Sequence, residues 1–162
     1  MYERTPPSLH QRVLGALVTL LPDELRSHPD ARALFDADTL PAVDEARLAP
    51  LTRALSLSPA EQLALALAVW VEFDAPLASA LALLQGNAER SGAPRPTLGL
   101  IASLAARLPT PDQLPLSPAL AMSRILQGPA MASGLLQLTA AGAPASDLAH
   151  SRLLQLPQAL LA

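Results

Sequence analysis

"SPAEQLALALAVWVEFDAPLASALALLQGN", residues 58–87, is the densest apolar stretch of the chain, and its reading decides the fold. From Leu63 to Ala68 leucine alternates with alanine, which has the two-residue period of a strand. The residues between the leucines are nevertheless the strongest helix formers, not the polar residues of a solvated strand face. Ser58-Pro59-Ala60-Glu61 has the pattern of a capping box with proline at the first helical position. Leu63, Leu67 and Trp70 fall on one side of the resulting helix, and Leu65, Val69 and Phe73 on roughly the opposite side. A helix apolar nearly all round is expected at the centre of a fold. Asp74 then caps a second helix, Pro76 lies in its first turn, Leu77, Leu81 and Leu84 make its stripe, and Gly86 stops it. The stretch predicts a helical hairpin.

Toward the N-terminus, Ser8 caps a helix through about Leu21 with Leu9, Val13, Leu17 and Leu20 on one face, and Pro22 breaks it. The polar, acidic stretch 22–47 contains Pro22, Pro29 and Pro41 and predicts short helical turns joined by loops, wrapped on the body or mobile. Asp44 or a neighbour starts a further helix bearing Leu48, Leu51 and Leu55, with a kink or restart at Pro50.

Toward the C-terminus, Thr97 caps a helix carrying Leu98, Ile101, Leu104 and Leu108, and Ser117-Pro118 opens a short helix to about Leu126. Two near-copies follow, "GLLQLT" at 134–139 and "RLLQLP" at 152–157, around a turn-rich linker that predicts an antiparallel hairpin with a long tip. The fold class expected is mainly α, a helical bundle with a winged-helix-like core and a short C-terminal β-hairpin. Residues 1–50 are read as an N-terminal helix with a Pro-rich, acidic extension, and 51–162 as the winged-helix-like domain.

Composition removes several chemistries. The 162 residues include no Cys, which excludes disulfides, thiolate zinc sites and thiol catalysis, and fits a cytoplasmic protein. Lys is also absent, so a Walker A loop or a lysine Schiff base has no residue to use. Residues 1–74 hold eleven acids and six Arg, a balance of −5, whereas 75–162 hold three acids and five Arg, a balance of +2. Neither part has the basic stripe of a dedicated nucleic-acid binder. The run Leu63–Val71 is about half of the roughly 20 residues a membrane span needs. The N-terminus does not look like a signal peptide, since no basic region leads directly into an apolar core.

His10, His28 and His150 are spaced unlike any metal motif; His10 and His28 read as solvated residues near helix ends, and no metal or cofactor is expected. Asp23-Glu24 and Asp44-Glu45 read as first-turn acids favoured by helix dipoles. The seven Gly are dispersed, so no phosphate cradle forms. Trp70 is expected in the core. A small hydrolase would need a pocket gathering His, Ser and acids.

The remaining interaction surface is Arg90, Arg95 and Arg107. The helix between them offers only Ser103 and Arg107 as polar side chains, a poor face for DNA, since affinity scales with phosphates neutralised. The simplest reading of these arginines is solvated side chains; as a binding surface they suit an acidic protein better than base edges.

Residues 55–108 resemble a segment upstream of the ATPase module in bacterial AAA+ proteins of the kind associated with extracellular contractile injection systems. The shared pattern is a Ser-Pro and an acid, a Leu/Ala-rich helix ending in an acid, a Leu-Gln pair, a basic loop, Arg-Pro-Thr and a further leucine helix. Here these are Ser58, Pro59, Glu61, Asp74, Leu84, Gln85, Arg95, Pro96 and Thr97. Residues 117–157 resemble the same region more loosely, through "GLLQL" and "RLLQLP", and the first 50 hardly at all. The resemblance implies a non-catalytic, winged-helix-like accessory domain that recruits a protein partner or substrate to an ATP-driven motor. The chain reaches Ala162 about where the ATPase would follow, so the motor is expected either in cis in a longer polypeptide or in trans.

Overall fold

In the computed structural model, which describes residues 8–29, 31–32, 43–85, 95–108, 116–139 and 153–155, the central stretch forms two helices. These are α4 (Pro59–Phe73) and α5 (Ala75–Leu84), joined at Asp74 with a bend of 114°. Ahead of them lie α1 (Leu9–Leu20), the single turn α2 (Asp23–Arg26) and α3 (Val43–Ala54). After them come α6 (Leu98–Arg107), α7 (Pro118–Gln127), the short α8 (Pro129–Ala132), and the strands β1 (Gln137–Thr139) and β2 (Leu153–Gln155). The chain is mainly helical, as its pattern predicts.

Local chemistry sets the helix starts. The hydroxyls of Ser8, Ser58, Thr97 and Ser117, and the carboxylate of Asp74, each accept the backbone N–H three residues on. Each cap satisfies one of the four N–H groups that a helix leaves without an internal partner. At Ser8 and Ser58 the bond is reciprocal, with Gln11 and Glu61 reaching back to the cap N–H.

The end of α3 is less obvious. Helix α3 runs through Pro50 with no restart and finishes in a Schellman turn, with Leu57 N–H donating to the Thr52 carbonyl and Ser56 N–H to that of Arg53. Ser56 holds the left-handed position, φ 51°, where glycine is usual, and Leu57 is buried just beyond it.

Helix α4 is the axis of the core. Leu63, Leu65, Leu67, Trp70 and Val71 are buried along it, with Ala64, Ala66 and Ala68 between them. The small alanines let neighbours approach closely, and Val13 and Leu17 of α1, Leu77 and Leu81 of α5, Leu98, Ile101 and Leu104 of α6, and Ile125 of α7 join one continuous cluster. Helix α6 packs most extensively on α7. A smaller cluster of Leu21, Ala31 and Ala80, with Leu14, Leu25, Leu83 and Leu84 against it, seats the α1–α2 segment on α5. The two near-copies pair as antiparallel strands in the register Gln137↔Gln155, Leu138↔Leu154 and Thr139↔Leu153, and β2 touches α4. The hairpin tip lies outside the described residues.

Two expectations need correction. Phe73, placed in the core by its helical position, is 72% exposed, because α4 ends there and the chain turns away into α5. His10, read as solvated, is buried. Among the described residues no single helix is long and apolar enough to cross a membrane; α4 and α5 together have the length, but they are sharply bent and mostly buried.

Candidate functional site

The predicted surface is built around α6, and its position is set by the residue before the preceding loop. The side-chain amide of Gln85, at the C-cap of α5, donates through Nε2 to the Arg95 carbonyl at 2.9 Å. Its Oε1 accepts the Thr97 N–H at 2.7 Å. One amide therefore does the work of a neighbouring strand on both sides of Pro96, which is buried and has no N–H to offer. Thr97 then caps α6 through its own hydroxyl.

At the start of this unit Arg95 is half-buried, and its Nε is enclosed without a hydrogen-bond partner. Arg107, the last residue of α6, is exposed, where a cation is favoured by the helix dipole. The helix separates the two by about 14 Å of rise, so they mark opposite ends of α6 rather than one cluster. Arg90 lies outside the described residues. Ser103, the other polar residue of the helix, donates its hydroxyl hydrogen back to the Gly99 carbonyl at 3.0 Å. From Ala75 onward the described residues include Arg95, Arg107 and Arg124 and no acid.

The buried polar side chains serve joints between helices. Glu61 is 2% exposed; its Oε2 accepts the N–H and hydroxyl of Ser58, each at 2.8 Å, and its Oε1 accepts the Ala130 N–H at 3.0 Å. The capping-box acid of α4 thus also caps α8, whose own N-cap residue is Gly128. Asp74 divides its oxygens in the same way: Oδ1 accepts the Leu77 N–H at 3.1 Å, and Oδ2 lies 3.2 Å from Nε2 of His10. The His10 ring stands edge-on to Trp70, centroids 4.9 Å apart and planes at 82°. This pair brings a histidine and an acid together, but it is sealed between α1 and the α4–α5 joint, and both Asp74 oxygens are engaged. Its geometry is that of a fastening.

Trp70 is in the core as expected. His28 is exposed, and His150 lies outside the described residues. Among the described residues no group of three or more His, Asp or Glu is placed to hold a metal ion. The partnerships of His10 and of Glu61 with Ala130 escape sequence reading because they span 64 and 69 residues. Gln85 carries no local signal beyond its Leu-Gln context. No protein-family model, curated protein or solved structure matches the chain.

Proposed function

We propose that the chain is a cytoplasmic, non-catalytic accessory domain, winged-helix-like in its C-terminal part, that recruits a protein partner or substrate to an AAA+ ATPase motor of the contractile-injection-system kind. The observation that carries this reading is where the resemblance motif falls in the fold. Ser58 and Thr97 cap α4 and α6, Asp74 makes the joint between α4 and α5, Gln85 ties the end of α5 to the start of α6, and Glu61 ties α4 to α8. Such a scaffold holds α6 with Arg95 and Arg107 at its two ends, and the absence of acids among the described residues from Ala75 onward favours an acidic partner. The motor supplies ATP hydrolysis; this chain supplies position.

In-cell crosslinking of the protein expressed from its own gene, read by mass spectrometry, tests the reading. Peptides of a Walker-A-containing ATPase, in the same or another polypeptide, are expected among the products. Arg95→Glu with Arg107→Glu is expected to reduce them about tenfold, a loss of roughly 1.4 kcal/mol. No ATPase peptide among the crosslinks ends this reading.

The balance of +2 over residues 75–162 also favours a second reading, a stand-alone winged-helix DNA-binding or regulatory protein. It requires duplex DNA binding that weakens steeply with salt and on replacement of Arg90, Arg95 and Arg107. Fluorescence anisotropy that shows no binding at low salt removes it.

A further inference from the structure

The corner where α4 passes into α5 carries an exposed aromatic side chain. Phe73 is 72% exposed, with exposed Glu72 before it and exposed Ala75 beyond the buried Asp74. Trp70, one turn earlier and a neighbour of Phe73 by helical spacing, is covered by the His10 ring of α1. Phe73 therefore stands just past the point where α1 stops covering that side of the helix.

The course of α1 decides what enters there. At its start His10 lies 3.2 Å from Asp74, at the beginning of α5. Further along, Leu14 and Leu21 join the cluster of Ala80, Leu83 and Leu84, toward the other end of α5. Helix α1 thus runs beside α5 in the same direction, and the chain ahead of Ser8 comes in from the Phe73 corner. Residues 1–7, "MYERTPP", lie outside the described residues and include Tyr2, the single tyrosine, and Arg4. Between Tyr2 and Ser8 the chain can reach about 20 Å when extended, enough to cross the joint. The Pro6-Pro7 pair favours extended backbone next to Ser8.

We propose that residues 1–7 of this chain are the occupant of the corner, with the Tyr2 ring seated on Phe73 and Arg4 beside Glu72. Contact between the two rings takes out of water an aromatic side chain that α4 leaves exposed. In extended backbone, residues two apart share a side, which sets Tyr2 and Arg4 together against the adjacent Phe73 and Glu72 and turns Glu3 outward. The segment then passes over Asp74 and His10 and shields their bond from solvent. The contact uses neither Arg95 nor Arg107, so this inference and the recruitment reading stand or fall separately.

Nuclear Overhauser spectroscopy of the full chain with isotope-labelled Tyr and Phe is the test, since the sequence holds one Tyr and two Phe, Phe35 and Phe73. Cross-peaks between the Tyr2 and Phe73 rings are expected, with an intensity per chain that does not change on dilution. Phe73→Ser should keep the helix content of the wild type, because the position is exposed, and return the Tyr2 ring shifts to random-coil values. Glu72→Arg should lower the ratio of docked to free segment by about two- to fivefold, and Arg4→Glu added to it should restore the ratio. Random-coil Tyr2 shifts in the wild type, cross-peaks to Phe35 in place of Phe73, cross-peaks that arise only between differently labelled chains, or a ratio unmoved by the charge exchange overturns the proposal.

Discussion

Gly128 is glycine because Glu61 occupies the space beside it. A Cβ at this position would collide with the Oε1 and Cδ of that carboxylate and stand 2.6 Å from the Arg124 carbonyl oxygen. The carboxylate cannot swing aside without giving up Ser58 or the Ala130 N–H, which would leave a buried acid short of partners. Gly128→Ala is accordingly expected to destabilise the fold by about 2–4 kcal/mol. Gly15 is the contrast: it lies exposed in the middle of α1, and a Cβ there meets nothing within 4 Å. Gly15→Ala removes only backbone entropy from the unfolded chain and should stabilise by about 0.5–1 kcal/mol. Urea midpoints that move in opposite directions for these two substitutions bear out the assignment; a tolerated Gly128→Ala would mean the Glu61 staple contributes nothing. Adding Glu61→Ala to Gly128→Ala removes the collision with the carboxylate and leaves only that with the Arg124 carbonyl oxygen, so the double variant should lose less than the sum of the single losses.

At the scale of the elements, Asp74 is the joint on which α1, α4 and α5 meet. Its loss removes the cap of α5 and a buried partner of His10 together. Asp74→Ala is expected to cost about 2–4 kcal/mol, whereas Asp74→Asn, which keeps a capping oxygen, should cost about 1 kcal/mol or less. Chemical denaturation reads both; equal losses would show that the cap carries no weight. A double-mutant cycle with His10→Ala should give a coupling on the order of 1 kcal/mol.

The same joint shows what a sequence can and cannot disclose. The cap lies within three residues, so Asp74 is readable as a cap, as are Ser8, Ser58, Thr97 and Ser117. The strands are readable because two near-copies flank a turn-rich linker. His10 is not readable: nothing around it signals an acid 64 residues away, and its neighbours suggest only a helix end. The finish of α3 is hidden for another reason, because serine stands at Ser56 where glycine would have announced a left-handed turn. Phe73 misleads because helical periodicity gives the direction of a side chain, not where the neighbouring helices stop. The helix that carries Arg107 is legible from its Thr97 cap and apolar stripe, but the Gln85 clamp that fixes its start, and the placing of Arg95 and Arg107 at opposite ends, are not.

Over the whole molecule, the charge asymmetry and the core cut the chain in different places. The first 74 residues hold eleven of the fourteen acids and carry a balance of −5, and the later part a balance of +2. The core ignores that division, since Val13, Ala16 and Leu17 of α1 lie in the same cluster as Leu98, Ile101 and Leu104 of α6. An element that shares its buried surface with the centre cannot leave without exposing that surface, so α1 and the later helices are expected to unfold as one unit. The chain carries its own reporter, because the single tryptophan, Trp70, is 3% exposed and lies under the His10 ring of α1. Detachment of α1 would wet Trp70 and shift its emission, while far-UV circular dichroism follows the helices of the whole chain. Urea transitions followed by the two signals should therefore coincide in midpoint and slope. An emission change well before the loss of helix would instead mean that α1 is a cover over an independently stable α4–α7 core. In that case His10 and Asp74 would fasten a removable segment, and the energy of that joint would govern opening of the cover and not unfolding of the fold.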